Sequence, residues 1–112
     1  MVTVRSATAA DGGAVAELHR QAFGGPDEAM LVAALDGGGH TVLSLVADDA
    51  GVVVGHVLLS PLSWTGEGRL LALAPLGVLP ARQRQGVGSA LMRAALDQAR
   101  AAGYRAVLVL GD

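Results

Sequence analysis

Arg82, Gln83, Arg84 and Gln85 run into Gly86, Val87, Gly88 and Ser89, where an apolar periodicity begins that reads as a helix. The first turn of a helix carries unpaired N–H groups and a partial positive charge. Glycines there let a bulky anion approach the backbone. From Arg69 to Leu96 the chain has no acidic residue, while Arg69, Arg82, Arg84 and Arg93 add positive charge. A pyrophosphate is the natural guest of such a segment. The plainer alternative is a glycine-rich helix start that only packs tightly, with arginines on a solvated face. The run of Arg and Gln, and the irregular strand expected before it, favour the anion site. A Walker-type loop is excluded because the chain has no Lys. The dinucleotide fingerprint needs a third glycine, which Ser89 to Ala94 does not supply.

Other side chains offer weaker chemistry. His56, between Gly55 and Val57 in an expected strand, is the candidate general base, since an imidazole accepts an amine proton near neutral pH. The alternative for it is a satisfied core or edge histidine. His40 follows three glycines in a loop that could border an acceptor site, and Glu67 reads as a solvated turn residue. His19, beside Arg20, is expected on a helix surface, and Trp64 in packing or in an acceptor wall. No His, Asp or Glu spacing recommends a metal site.

The elements that must position these residues follow from pattern. Val2 to Arg5 is a short strand. Thr8 and Asp11 approximate a capping box before a helix with Val15, Leu18 and Ala22 at helical spacing, near Ala14 and Phe23, ended by Gly24 and Gly25. Pro26, Asp27 and Glu28 open a second helix with Met30, Leu31, Ala34 and Leu35 as its apolar positions. Thr41–Ala47 and Val52–Ser60 read as a hairpin ended by Pro61. Leu70–Leu79 is apolar on both faces and therefore central. Pro75 cannot donate to a ladder, so a bulge is expected between Ala74 and Gly77. Gly86–Ala102 is a helix with Val87, Leu91, Ala95, Ala99 and Ala102 on one stripe, and Gly103 fits the position after its end. Arg105–Leu110 is a last strand, parallel to Leu70–Leu79 because a helix connects the two.

The chain has 112 residues, a net charge of -2 and no Cys. That allows one domain and excludes a disulfide framework or a thiolate nucleophile. The absence of Lys excludes a Schiff base. Mild acidity gives no support for nucleic acid as a partner. No apolar run approaches the roughly 20 residues of a membrane span and no signal peptide is visible, so the expectation is a cytoplasmic protein with no membrane partner.

Gln83-Arg84-Gln85-Gly86-Val87-Gly88 resembles the Gln/Arg-x-x-Gly-x-Gly/Ala signature of the GNAT superfamily of acyl-CoA-dependent N-acyltransferases. Leu76 to Pro80 resembles that family's fourth strand entering its pyrophosphate loop, and the order β-α-α-β-β-β-α-β is similar over nearly the whole chain. Val54 to Pro61 and Ala74 to Val78 resemble a bacterial subgroup of N-acetyltransferases. The resemblance implies a mixed α/β (α+β) fold, mostly antiparallel, with helices on both faces and the parallel fourth and fifth strands splayed. It implies one GNAT-like acyl-CoA-binding domain, 1–112. It implies acetyl-CoA as cosubstrate and an amine acceptor that attacks directly, without a covalent enzyme intermediate. The pantetheine arm would pair with Leu76, Gly77 and Val78. The pyrophosphate would lie against backbone N–H groups from Gln83 to Ser89, that is Gln83, Arg84, Gln85, Gly86, Val87, Gly88 and Ser89, with Arg84 and Arg82 as charged support. Family members usually continue for several tens of residues, into a part that commonly supplies a Tyr as acid; Tyr104 precedes the last strand and is not that residue. The other readings are a non-catalytic acyl-CoA-binding module and an inactive short fragment. Ala106 to Leu110 is an uncovered, β-prone edge, so a homodimer or higher homo-oligomer through that strand is expected.

Overall fold

The computed structural model describes residues 1–110. One five-stranded sheet organises them in the order β1 (Val2–Ser6), β2 (Leu43–Asp49), β3 (Val52–Leu62), β4 (Leu70–Val78), β5 (Ala106–Val109). Neighbours are antiparallel except β4 and β5, which are parallel and joined by α3 (Val87–Ala101). Helices α1 (Gly12–Phe23) and α2 (Asp27–Gly37) cover the opposite face. The two-residue period of the strands divides the core. Leu45, Val57, Leu59, Leu71 and Leu73 meet Val87, Leu91, Ala95 and Ala99 of α3. Val46 and Leu58 meet Val15 of α1 and Val32 of α2.

Local chemistry sets most boundaries. The Thr8 N–H donates to Asp11 Oδ2 at 2.7 Å, capping the 3₁₀ turn Ala9–Asp11 that runs into α1. Asp11 also takes a two-pronged contact from Arg5, Nη1 to Oδ2 at 2.8 Å and Nη2 to Oδ1 at 3.0 Å. That pair, with the Thr8 N–H, holds the Asp11 carboxyl well below the usual carboxylate range. The β2–β3 hairpin turns on Ala50 and Gly51, at φ 52° and 92°, the left-handed pair that a two-residue turn requires.

Three sequence expectations are corrected. His19 is completely buried, not on the surface. It shares the stripe of Val15, Leu18 and Ala22, and that stripe packs across β3 and β4. In α2 the buried residues are Ala29 and Val32, while Met30 and Leu31 are exposed. Residues 29–35 are all apolar, so periodicity could not select a face. Pro61 does not end β3; it pairs with Leu71 inside the strand, which runs on to Leu62.

The expected bulge is present. Val57 pairs with Leu76 and Leu59 with Leu73, so Ala74 and Pro75 stand opposite the single residue Leu58. The Ala74–Pro75 peptide is cis. Pairing between β4 and β5 runs from Leu70–Ala106 to Leu73–Val109, with Leu110 N–H donating to Leu73 O at 3.1 Å. The ladder on that side therefore reaches the bulge. The expected splaying of the two strands falls beyond Leu110, outside the described residues.

Candidate active site

The segment after β4 is built as an anion cradle. Gly86 caps α3 at φ 85°, a left-handed conformation that glycine adopts without a Cβ penalty. Ala90 N–H donates to Gly86 O at 3.0 Å and opens the helical ladder. Helix geometry then leaves the N–H groups of the preceding turn free to face outwards. A Cβ at Gly88 would meet only Val78 Cγ2, at 3.7 Å, so the surface above the cradle is open. Arg84 is exposed and also left-handed, at φ 65°.

The approach to this cradle is held by side chains. Gln83 Nε2 donates to Val78 O at 3.0 Å and Gln85 Nε2 to Ala81 O at 3.2 Å. Arg82 donates from Nη1 to Asp49 Oδ2 at 2.8 Å and from Nε to Gln85 Oε1 at 3.1 Å. Arg82 thus ties the loop to the β2–β3 hairpin and lowers the Asp49 carboxyl below its ordinary range. Arg69 does not belong to the cradle. It donates to Ala102 O at the far end of the 15-residue helix α3, ~22 Å away, and stacks over Tyr104.

The second half of β4 has a free edge among the described residues. Leu79 N–H bonds to Val54 O at 2.9 Å. Antiparallel alternation then turns the Gly77 backbone towards His56 on β3 and the Leu76 and Val78 backbone groups away from it. The Gln83 contact with Val78 O lies on that outer side. At the bulge opens a cleft of about 740 Å³, lined by Phe23, Glu28, Leu31, Ala74, Pro75 and Leu76 among others. Among the described residues Glu28 is its only titratable side chain. From the sequence Glu28 is only a helix-opening acid, and the all-apolar residues 29–35 that follow give no signal that it borders a cleft.

His56 is buried, with 1% of its surface accessible. Its Nε2 lies 2.8 Å from Ser44 Oγ and its Nδ1 lies 2.8 Å from His19 Nε2. Burial, reinforced by His19, pushes His56 down to about 3, and burial pushes His19 down to about 4. Both rings are neutral at pH 7. His19 Nδ1 has no hydrogen-bond partner among the described residues. It rests on Gly77, where a Cβ would stand 2.5 Å from it. His40 and Glu67 are exposed and do not line the cleft, and neither does Trp64, which donates to Gly68 O near the start of β4. Among the described residues no His, Asp or Glu group is disposed to hold a metal, and no helix is long and apolar enough to cross a membrane.

A five-stranded mixed sheet with a bulged central strand, emptying into a glycine-capped helix, defines a recognisable class. The sequence profile of the Acetyltransferase (GNAT) family matches residues 13–111, and the chain belongs to that family. It is 39% identical over 106 residues to YjhQ, an uncharacterized N-acetyltransferase of Escherichia coli K12, a match covering 90% of this chain and 59% of YjhQ. It is 40% identical over 97 residues to the E. coli K12 protein YhbS, with 85% and 58% covered. The chain thus spans a little under three fifths of the length of these relatives. A GNAT acetyltransferase of Brucella melitensis, solved with acetyl-CoA, superposes with a TM-score of 0.92 at 34% identity, covering 100% of this chain and 77% of that protein. YhbS solved with CoA superposes at 0.94 and 35% identity, covering 99% and 63%.

Proposed function

We propose that the protein binds acetyl-CoA and transfers its acetyl group to an amine that attacks directly. The observation that carries this reading is the junction of a β4 edge left unpaired among the described residues with the glycine-capped start of α3. Acetyl-CoA supplies the activated thioester. Backbone N–H groups from Gln83 to Ser89 bind its pyrophosphate, and exposed Arg84 adds charge. The outward backbone groups of Leu76 and Val78 hold the pantetheine arm as an added strand, with Gly77 keeping the ladder to β3. The Leu76 N–H, the first donor after Pro75, polarises the carbonyl. The cleft at the bulge holds the acceptor between Phe23, Leu31 and Pro75, with Glu28 drawing a cationic nitrogen. His56 does not line the acceptor cleft, and both of its ring nitrogens are in hydrogen bonds, to Ser44 and His19, so it would act as base only through those partners. The similarity to proteins solved with acetyl-CoA and CoA supports the choice of cosubstrate.

Calorimetric titration with acetyl-CoA, followed by thiol release across an amine panel, tests this reading. Saturable binding and amine-dependent release are expected. Binding without release would leave a CoA-binding module, and no binding would end the proposal. Leu108 and Val109 of β5, and Leu110 just after it, are exposed. That apolar edge supports pairing with a second copy, for which sedimentation across a dilution series should show a concentration-dependent dimer.

A further inference from the structure

We infer that the acceptor is a monoamine on an apolar body, an aryl- or branched alkylamine with no carboxylate and no second cation, whose ammonium meets Glu28. The inference rests on the proposed acetyl transfer and adds to it the class of molecule that the cleft at the β4 bulge admits.

Three elements make the part of the cleft that selects. Phe23 comes from α1, Glu28 and Leu31 from α2, and Pro75 and Leu76 from β4. Among the described residues every lining side chain except Glu28 is apolar, and no Arg lines the cleft. Phe23 and Leu31 leave 46% and 42% of their surface to solvent. Large apolar side chains exposed together, rather than scattered singly, mark a binding surface. The Phe23 ring is also held in place. It stacks on His19 at 5.9 Å between centroids and 22° between planes. His19 is fully buried and linked in a line through His56 to Ser44, at 2.8 Å per contact. Phe23 is therefore backed by a fixed ring of the core while its exposed part faces the cleft. A supported aromatic ring beside a proline favours a flat or branched apolar body.

Glu28 supplies the charge. It is half-buried in the first turn of α2 and makes no ion pair among the described residues. A primary amine at neutral pH arrives as an ammonium, and a carboxylate set among apolar walls attracts it more strongly than one in open water. The same carboxylate repels a carboxylate on the acceptor, and no Arg offers that group a partner. A second cation would shed its water against apolar walls with nothing to replace it. The chemistry also lets the product leave. The amine nitrogen bonds to the acyl carbon, and the carbon–sulfur bond breaks with its electron pair going to sulfur. Of the two protons the ammonium loses, one ends on sulfur and one in solvent. The amide product is neutral, so Glu28 no longer holds it.

Thiol release and calorimetry of the whole chain test this with three probes. Phenylethylamine fits the class, phenylalanine adds a carboxylate to the same body, and diaminobutane has two cations and no ring. Each is assayed at saturating acetyl-CoA and titrated into chain saturated with CoA, for the parent and for Glu28→Gln. Phenylethylamine is expected to lead both others by at least about 10-fold in kcat/KM and in affinity. Glu28→Gln should weaken phenylethylamine by about 10-fold and narrow its lead over phenylalanine, while acetyl-CoA affinity stays within about twofold. N-acetylphenylethylamine should bind the CoA-saturated parent at least about 10-fold more weakly than the free amine. A preference for phenylalanine or diaminobutane, or a folded Glu28→Gln with an unaltered preference, overturns the class and leaves acetyl transfer intact. Where acetyl-CoA binds without turnover, the titrations decide in the same way, and no binding of phenylethylamine overturns the class. A dimer in sedimentation that excludes phenylethylamine overturns it too and gives the cleft to a second copy. Failure to bind acetyl-CoA removes the proposed reaction itself, and the class with it.

Discussion

The start of α3 and the histidine line beneath β4 are two sites made in opposite ways. The first is built of backbone. Its donors are the N–H groups of consecutive residues, its shape is set by Gly86 at φ 85°, and its surface faces solvent. The second is built of side chains. Its members are far apart in sequence, both histidines are buried, and its only open valence points at another strand. A site made from local backbone tolerates changes in side chains that point away from it. A site assembled across a sheet depends on the packing of every element that contributes to it. Mutations that touch one site and spare the other can test that contrast.

The largest effect is expected at Gly88. A Cβ there has only an ordinary contact with Val78, and a carboxylate in the first turn of α3 suits the helix dipole. Gly88→Glu should therefore fold normally, with an unchanged or slightly raised Tm. The same carboxylate would occupy the anion cradle and repel a pyrophosphate, so acetyl-CoA affinity should fall by about 100-fold, read by calorimetry. Retention of affinity would detach the cradle from the cosubstrate.

The histidine line should announce itself in stability. Its two members titrate at about 4 and about 3 when folded, against 6.5 as the ordinary value. The unfolded chain therefore takes up their protons first. Their contribution is intact above about pH 6.5 and is lost as pH falls towards the folded values. The expected slope reaches ~1.4 kcal/mol per pH unit for each histidine. Urea unfolding between pH 7 and 4.5 should show it, and His19→Gln should remove one histidine's share. Asp11, held low by Arg5, adds its own loss only nearer pH 4. An equal slope in His19→Gln and the parent would mean that the buried ring is not what resists protonation.

The same contrast explains what could be read from the residues alone. The glycine cap, the bulge at Pro75 and the parallel β4–β5 pair follow from local demands on φ, on N–H donors and on connection length, and all are present. The family signature lies within that local stretch. His19 was legible only as one position of the Val15, Leu18, Ala22 stripe, and a histidine's neighbour Arg20 pointed the wrong way. Its partner His56 is 37 residues away, and nothing short of the sheet register brings the two together. The face of α2 was hidden for another reason: its residues 29–35 form an unbroken apolar run with no periodic signal, so Glu28 and Leu31 could not be assigned to a cleft.

A moderate effect is expected at Arg84. It is exposed, so screening limits its contribution. Arg84→Ala should weaken acetyl-CoA binding by about 3- to 10-fold at low salt, with the difference shrinking as salt is raised. Its left-handed φ of 65° is unfavourable for alanine as well, so a fold check by circular dichroism belongs with the titration.

The smallest effect is expected at Asp49, and there two influences oppose each other. Asp49 anchors Arg82 at 2.8 Å and so ties the loop to the hairpin. Its carboxylate also cancels Arg82's charge beside the cradle. If anchoring dominates, Asp49→Asn loosens the loop and weakens binding. The loop, however, has other ties: Gln83 to Val78 O, Gln85 to Ala81 O, and Leu79 N–H to Val54 O. An asparagine can still accept from Arg82 through its amide oxygen. The geometry should survive, and the released charge should prevail. Asp49→Asn is therefore expected to tighten acetyl-CoA binding by about 2- to 3-fold at low salt, an advantage that fades as salt rises. Weaker binding that does not respond to salt would show instead that the cradle depends on a long-range side-chain tie, and the contrast between a local backbone site and an assembled one would not hold for this loop.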